Sequence, residues 1–283
     1  MKTITTEELN AIKFYLGDSK TVEDKIYLGG EKAYVTINAL LNLGTRNEKD
    51  KAKEGKIVEL YDVKHLKSYL SLINLIFSAS VKYKNNYTED NTGSLTSYRV
   101  DRYSSLKHFL NSGSIEGFFS TCKSGLLPEY ANSKIDIALL QVDRDSSVPF
   151  IDFEKLLKDH YAKPEEAEIL IPFGTRITSI EKVEMTEEEK NIYHDQEGKP
   201  PVGKWIVKLS QGSYETLTPT EEEQCYKYIT DTNILNSIIE SMKGLSSGQQ
   251  LNAENERVYF EWKEKLNKYV NNNVAKILKR KEY

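Results

Sequence analysis

The segment EEAEILIPFGT, residues 165–175, carries the pattern that decides the fold. Its apolar run, residues 169–171, predicts a short buried strand, and Glu166 and Glu168 stand two residues apart where that strand begins. Side chains two residues apart on a strand point to the same side, so we expect both carboxylates to face one cavity. Carboxylates that share a cavity are typical of acid–base or cation-stabilising pairs. The segment therefore predicts a strand with a functional glutamate pair.

Two segments upstream place polar groups on predicted strands. Residues 95–100 are strand-like and include Arg99. An arginine on an otherwise apolar strand loses its hydration at a cost in free energy, unless an anion compensates for that loss. Residues 117–121 form a second short strand, on which Ser120 and Thr121 follow two phenylalanines. Such hydroxyl groups orient a carboxylate or a sugar, or they satisfy backbone groups. Each segment alone is compatible with a purely structural role.

The order of the predicted elements is helices, then short strands, then helices, which is typical of an α+β fold. The predicted elements are helices over 5–16, 34–43 and 60–83, strands over 95–100, 117–121, 135–142, 168–172 and 205–209 with short helices over 106–110 and 153–161 between them, and helices over 220–242 and 252–279.

Composition and charge exclude several classes of protein. The chain has 283 residues, of which 39% are apolar and 29% charged, so it can bury a core. Its net charge of −4 disfavours a uniform binder of nucleic acid or anionic membrane. No run reaches the roughly 18 apolar residues of a membrane span, and the first residues lack the apolar stretch of a signal peptide. We therefore expect a cytoplasmic protein with no membrane partner.

Metal, thiol and phosphate-loop chemistry find no support in the sequence. The four histidines are scattered without metal-ligand spacing, and Cys122 and Cys225 have no neighbouring histidine. Glycine-rich phosphate loops are also missing. We expect no metal site and no Cys–His nucleophile.

Taken in order, the three polar segments resemble the motif set of the ADP-ribosyltransferase superfamily of the bacterial-toxin type. That family carries an arginine on a first strand, an aromatic-x-Ser-Thr-Ser on a second, and Glu-x-Glu or Gln-x-Glu before an apolar strand. The matching positions here are Arg99, FFSTC at 118–122 and EAE at 166–168. AIKFYLG at 11–17 and YVTINALL at 34–41 look like the family's N-terminal helices, and the resemblance covers about residues 8–182.

The resemblance implies an α+β fold built on a split pair of short, roughly perpendicular β-sheets. It implies an ADP-ribosyltransferase domain over residues 1–210, with a helical part at 1–90 and a β core at 91–210. A C-terminal helical extension over 211–283 would follow. NAD would lie between the two sheets as co-substrate, with no metal.

The resemblance also implies a role for each matching residue. Glu168 would stabilise the ribosyl cation as nicotinamide leaves, and Glu166 would help the acceptor attack. Ser120 and Thr121 would support the cleft and orient Glu168. The expected catalytic residues are Arg99, Ser120, Glu166 and Glu168, and the expected NAD contacts are Tyr34, Asn38, Tyr98, Arg99, the backbone of Val100, Phe119, Ser120, Thr121 and Glu168.

The sequence departs from the family pattern at three points. Cys122 stands where the family has its third serine, and Val100 where it often has glycine. The strand over 135–142 lacks the second basic residue that often binds the NAD phosphate. Another cation, such as Lys123 or Arg144, would then supply that charge.

The acceptor stays open between several alternatives. In the family the loop before Glu-x-Glu reads the acceptor, here about 158–166, with Tyr161 as its aromatic contact. Glutamate at the first motif position resembles arginine-modifying members, which favours a protein arginine. The basic stretch 262–283 keeps a nucleic-acid acceptor open, and NAD glycohydrolysis by water or a non-enzymatic interaction module are further alternatives. Because such a transferase would poison its own cell, we expect a toxin, antiviral-defence or phage-effector setting with a neutralising antitoxin.

Overall fold

The computed structural model describes residues 3–16, 33–42, 63–87, 96–104, 106, 113–123, 125–126, 128–157, 167–211, 214–246, 249 and 251–279. Tyr161, Glu166 and most of the predicted helix over 106–110 lie outside these residues. The chain divides into two compact units. The first unit comprises residues 1–82 and 213–283, and the second comprises residues 83–212. Compactness does not test which residues form a catalytic domain, so the domain over 1–210 stays a prediction.

The described elements confirm most of the predicted order. They are α1 (Thr6–Tyr15), α2 (Ala33–Asn42), α3 (Val63–Tyr87), β1 (Thr96–Arg102), β2 (Phe119–Cys122), α4 (Pro128–Asn132), β3 (Ile137–Arg144), β4 (Ile151–Asp152), α5 (Phe153–Leu157), β5 (Glu168–Ile171), β6 (Arg176–Val183), α6 (Glu187–Ile192), β7 (Gly203–Ser210), α7 (Pro219–Ile229), α8 (Thr232–Ser246) and α9 (Ala253–Lys279).

The first unit is helical, and a buried carboxylate joins two of its helices. Thr5 and Glu8 form a capping box at the start of α1, with the Thr5 amide donating to Glu8 Oε2 at 2.8 Å. Glu8 Oε1 also accepts hydrogen bonds from Ser78 Oγ at 2.6 Å and from Lys82 Nζ at 2.7 Å, both on α3. The Glu8 side chain therefore takes part in the N-terminal cap of α1 and also connects α1 to α3.

The C-terminal helices belong to the same compact unit as α1 and α2. Tyr259 on α9 donates its hydroxyl hydrogen to the Leu40 carbonyl at 2.8 Å, and the Trp262 indole donates to the Ile229 carbonyl at 3.2 Å. Both aromatic side chains are fully buried. Large buried aromatic groups with satisfied polar atoms stabilise a helical core strongly.

The predicted single helix over 220–242 is wrong, because two helices occupy this stretch. α7 ends at Ile229, and the Asp231 carboxylate accepts from the amides of Asn233 at 2.8 Å and Ile234 at 3.1 Å. An aspartate in this position satisfies the free amides of a new helix start. The N-cap preference of Asp231 therefore overrides the continuous apolar periodicity around it.

The second unit contains one seven-stranded sheet in the order β4-β5-β2-β1-β3-β7-β6. All neighbouring strands are antiparallel except β3 and β7, which are parallel. β3 is buried on both faces, which explains its almost continuous apolar sequence. The mixed helix and sheet content confirms the coarse fold prediction. The division into two perpendicular sheets stays a prediction.

The sequence analysis did not predict the short helix α6, although the residues at its start carry a capping signal. Thr186 and Glu189 form a capping box in which the Glu189 amide donates to Thr186 Oγ1 at 3.1 Å. The pattern T-x-x-E is a known mark of a helix start.

We predict that Glu8→Ala destabilises the protein by about 3 kcal/mol, because it removes a cap and leaves the half-buried Lys82 ammonium unpaired. Urea unfolding followed by circular dichroism measures the change. Glu7→Ala is the matched control, since Glu7 lies in the same helical turn and is exposed. Equal unfolding midpoints for the two variants would contradict the prediction.

Candidate active site

Within the described residues, the main-chain ladder between β1 and β2 contains one residue pair. Tyr98 lies opposite Cys122, whereas β1 and β3 pair along the whole of β1. Because the ladder does not continue beyond Tyr98, the Ser120 carbonyl has no main-chain partner on β1. Unsatisfied backbone carbonyls inside a sheet are costly. This junction is where the candidate site lies.

Ser120 and Glu168 meet across β2 and β5. Cys122 pairs with Glu168 and Ser120 with Leu170, so Ser120 and Glu168 are diagonal neighbours on one face. The Ser120 hydroxyl donates a hydrogen bond to Glu168 Oε1. Cys122 is directly opposite both Tyr98 and Glu168, which places these three residues in one row across the sheet. The structure thus brings the expected serine and glutamate together.

The residue before Glu168 has an unusual backbone. Ala167 has φ of 42°, in the left-handed region that non-glycine residues rarely occupy. Its carbonyl accepts a hydrogen bond from the Lys123 amide at 3.1 Å. β5 begins at Glu168, directly after Ala167. Glu166 lies outside the described residues, so its pairing with Glu168 and its role stay predictions.

Arg99 reaches the same serine from β1. Its Nη1 donates to the Ser120 carbonyl at 2.7 Å, and its Cζ lies 4.6 Å from the centre of the Phe119 ring. Strand alternation sends the Arg99 and Tyr98 side chains to opposite faces of β1. The guanidinium nevertheless fills the gap where β1 and β2 part. Ser120 therefore contacts Glu168 through its hydroxyl group and Arg99 through its carbonyl oxygen.

Asp101 is a site residue that the sequence analysis missed. It follows Arg99 by two positions on β1, and its Oδ2 lies 2.7 Å from Arg99 Nε. Burial alone would raise the pKa of Asp101. The charges of Arg99 and Lys134 and hydrogen bonds from Arg99 and the Arg102 amide outweigh burial and lower that pKa. The carboxylate is therefore ionised at neutral pH.

Lys134 is a second missed residue. Its Nζ donates to the Val100 carbonyl at 2.7 Å and lies 5.5 Å from the centre of the Tyr130 ring. Burial and the charges of Arg99 and Arg102 together lower the pKa of Lys134 to about 8, against the opposing charge of Asp101. The turn between α4 and β3 carries Lys134 to β1, and no local sequence pattern marks that approach.

The two cations expected to replace the family's second basic residue have other partners. Lys123 binds Asp152 at 2.8 Å and Glu154 at 2.7 Å. Burial lowers the pKa of Lys123, but these two carboxylates outweigh it and raise the pKa. Arg144 is buried with its guanidinium 4.4 Å from the centre of the Phe150 ring, and burial lowers its pKa to about 10. Lys134 is better placed than either to join Arg99.

The remaining expected residues are placed as follows. Thr121 donates to Ser97 Oγ at 2.8 Å, so its hydroxyl links β2 to β1. Val100 is buried, and its carbonyl already accepts from Lys134. Tyr34 and Asn38 lie on α2 in the first compact unit, where the Asn38 amide donates to Tyr15 Oη at 3.1 Å. Contacts of these residues with NAD stay predictions.

Among the described residues, no cluster of three or more histidines, cysteines or acidic residues could hold a metal ion. The helices of that same part of the chain include none with the length and apolar content to cross a bilayer.

No family model matches the chain, and no curated protein matches it. Among solved structures, the chain is similar to an ADP-ribosylating toxin, BECa, from a binary enterotoxin of C. perfringens, crystallised with NADH. The identity is 18% and the TM-score 0.41 over 73% of this chain and 43% of that chain. The chain thus spans less than half the length of that toxin chain, and a likeness at this level assigns no activity to it.

We predict that the free energy of unfolding of the wild type rises relative to Lys134→Met between pH 8 and 10.5. In this window the folded state has released the Lys134 proton, whereas the unfolded state, with the ordinary pKa of 10.5, still binds it. Stability therefore increases with pH here, and below pH 8 the full cost of the buried charge is present.

Urea unfolding at four pH values measures this difference. Lys263, whose burial lowers its pKa to about 7, is common to both proteins and cancels. Lys208→Met is the control at an exposed lysine of β7 and should leave the pH dependence unchanged. Parallel stability curves for the wild type and Lys134→Met would contradict the prediction.

Proposed function

We propose that the protein is a mono-ADP-ribosyltransferase that cleaves NAD and transfers ADP-ribose to a macromolecular acceptor. The observation that carries this proposal is the convergence on Ser120, whose hydroxyl binds Glu168 and whose carbonyl binds Arg99. A carboxylate and a guanidinium held by one residue suit a substrate with a developing positive charge beside a diphosphate. The ordered resemblance of the three motifs to the bacterial-toxin transferases supports the same reaction.

The chemistry follows from where charge develops. When the bond between nicotinamide and ribose breaks, its electron pair leaves with nicotinamide and the sugar becomes oxocarbenium-like. A carboxylate fixed where that charge appears stabilises the transition state more than the ground state. Glu168 supplies the carboxylate, and the Ser120 hydrogen bond holds it in one orientation. The acceptor's lone pair then bonds to the sugar carbon, and Glu166 takes the proton that the acceptor loses.

Arg99 supplies the charge that the diphosphate needs. Guanidinium groups bind phosphate oxygens through directed hydrogen bonds, which give geometry as well as energy. The Arg99 side chain is 30% exposed, so part of it remains accessible. Lys134 adds a second cation close to Arg99. We propose that these two side chains bind the NAD diphosphate together.

We propose that the acceptor is a protein arginine and that the loop 158–166 recognises it. The alternative of nucleic acid relied on the basic C-terminal stretch. Several of its lysines are not available for phosphate, since Lys263 is buried, Lys268 pairs with Glu264 at 2.7 Å and Lys276 pairs with Glu222. Paired or buried lysines release few counterions on binding, which weakens the nucleic-acid alternative. The toxin, defence or phage-effector setting with an antitoxin belongs to the same proposal.

Labelled NAD and cell lysate test the function directly. We expect label to enter macromolecules and to be removed by protease and not by nuclease. Nuclease sensitivity would identify a nucleic-acid acceptor, and free ADP-ribose without labelled macromolecules would identify a glycohydrolase. The absence of any NAD consumption would show that the chain is a binding module.

We predict that Glu168→Gln lowers NAD turnover by about a hundred- to a thousandfold while the fold is retained. The amide keeps the size of the side chain and its bond to Ser120 but lacks the charge. Nicotinamide release measures turnover. Glu181→Gln, at an exposed position of β6, is the matched control and should keep full activity. Parental turnover in Glu168→Gln would show that this residue has another role.

We predict that Glu166→Gln separates transfer from hydrolysis. Transfer to the acceptor should fall at least tenfold, because the acceptor loses its base, whereas slow NAD hydrolysis should largely remain. Both rates are measured in one assay from labelled macromolecule and from free ADP-ribose. Glu165→Gln is the neighbouring control. Equal loss of both rates in Glu166→Gln would mean that Glu166 also serves nicotinamide departure.

A further inference from the structure

The Arg99 guanidinium is held on three of its sides. Nε binds Asp101 Oδ2 at 2.7 Å, Nη1 binds the Ser120 carbonyl at 2.7 Å, and Phe119 covers one face at 4.6 Å. Within the described part of the chain, the Arg99 guanidinium makes no hydrogen bond or ion pair beyond these. The edge of the guanidinium that carries Nη2 therefore remains for a ligand.

Asp101 is itself anchored to its strand. Its Oδ1 accepts the Arg102 amide at 2.8 Å, and its side chain is only 18% exposed. Ion pairs between flexible exposed side chains contribute little, because both partners lose freedom when they pair. Asp101 avoids that cost, since its carboxylate is already fixed by the backbone. It can therefore impose one orientation on Arg99.

Asp101 does not cancel the positive charge of the site. Arg99 and Lys134 repel each other electrostatically, and the Asp101 carboxylate attracts both of them. One negative charge beside two positive charges leaves a positive surplus, which attracts an anion. The carboxylate thus reduces repulsion between the cations and still allows a diphosphate to bind.

We propose that Asp101 is a positioning residue that holds Arg99 through Nε, so that the Nη2 edge of the guanidinium faces the diphosphate of the substrate. This inference rests on the proposed function, in which the diphosphate belongs to NAD. An arginine held in its binding orientation loses less conformational freedom when the ligand arrives. Asp101 therefore acts on NAD affinity through Arg99 and has no part in bond cleavage.

The test compares NAD kinetics of the full chain with its variants. Asp101→Asn keeps the shape of the side chain and removes its charge, and we expect KM for NAD to rise about tenfold with kcat within about twofold. Asp101→Glu restores the charge and should recover part of the loss. Asp143→Asn is the matched control, because Asp143 is a half-buried carboxylate of β3 bonded to Thr96 at 2.8 Å, and its KM should not change.

A double-mutant cycle shows whether Asp101 acts through Arg99. In an Arg99→Lys background the Nε bond to Asp101 is gone, so adding Asp101→Asn should raise KM by less than twofold. If the fold-increases in KM of the two single variants simply multiply in the double variant, the inference is overturned. An unchanged or lower KM in Asp101→Asn would also overturn it, since Asp101 would then be neutral or a competitor of the ligand.

If Asp101→Asn does not fold, Asp101→Glu decides. We then expect a severalfold higher KM at unchanged kcat, because the carboxylate is displaced by one methylene.

Pyrophosphate binding separates this inference from the proposed function. If the wild type consumes no NAD, the proposed function is wrong, and titration with inorganic pyrophosphate then decides the role of Asp101. Weaker pyrophosphate binding by Asp101→Asn than by the wild type and Asp143→Asn supports the inference. Equal binding by all three proteins, or no binding by any, overturns it.

Discussion

The arrangement of the candidate site depends on the short main-chain ladder between β1 and β2, which pairs Tyr98 with Cys122. Because the described ladder stops there, the carbonyl of Ser120 needs a side chain as its partner. The Arg99 guanidinium provides it at 2.7 Å and is thereby drawn into the gap between the strands. A pair of strands with a complete ladder would leave no room for that side chain. The gap and the cation that fills it therefore come from one structural feature.

The position of Glu168 depends on the register of the neighbouring pair, β2 and β5. Four consecutive pairs fix this register, from Phe119 with Ile171 to Cys122 with Glu168. A slip of one residue would turn Glu168 to the other face and bury a carboxylate without a partner, at a cost of several kcal/mol. The buried apolar residues 169–171 on both faces prevent such a slip. The core of the sheet thus holds the Glu168 carboxylate in place.

Four cations near the candidate site fall into two groups that differ in their partners. Lys123 is neutralised by two carboxylates, and Arg144 is buried beneath Phe150. Arg99 and Lys134 each bind a backbone carbonyl, and the single carboxylate of Asp101 interacts with both of them. One carboxylate does not cancel two positive charges, so this second group keeps a net charge. Cations in a protein can therefore be sorted by what they bind, and their number in the sequence says little about their use.

The sequence by itself determined the order of most elements and the polar residues of the candidate site, because both depend on short-range pattern. The sequence predicts strands at the apolar run 169–171 and at residues 120–121, and the structure confirms both. The order of helices and strands indicated the mixed fold. Only the tertiary structure decided which groups meet. Ser120 contacts Glu168 through strand register, Lys134 reaches Val100 through a turn, and Ala167 has a left-handed backbone directly before β5. These features depend on pairing across the sheet and on one backbone angle, and neither is encoded in the spacing of residues along the chain.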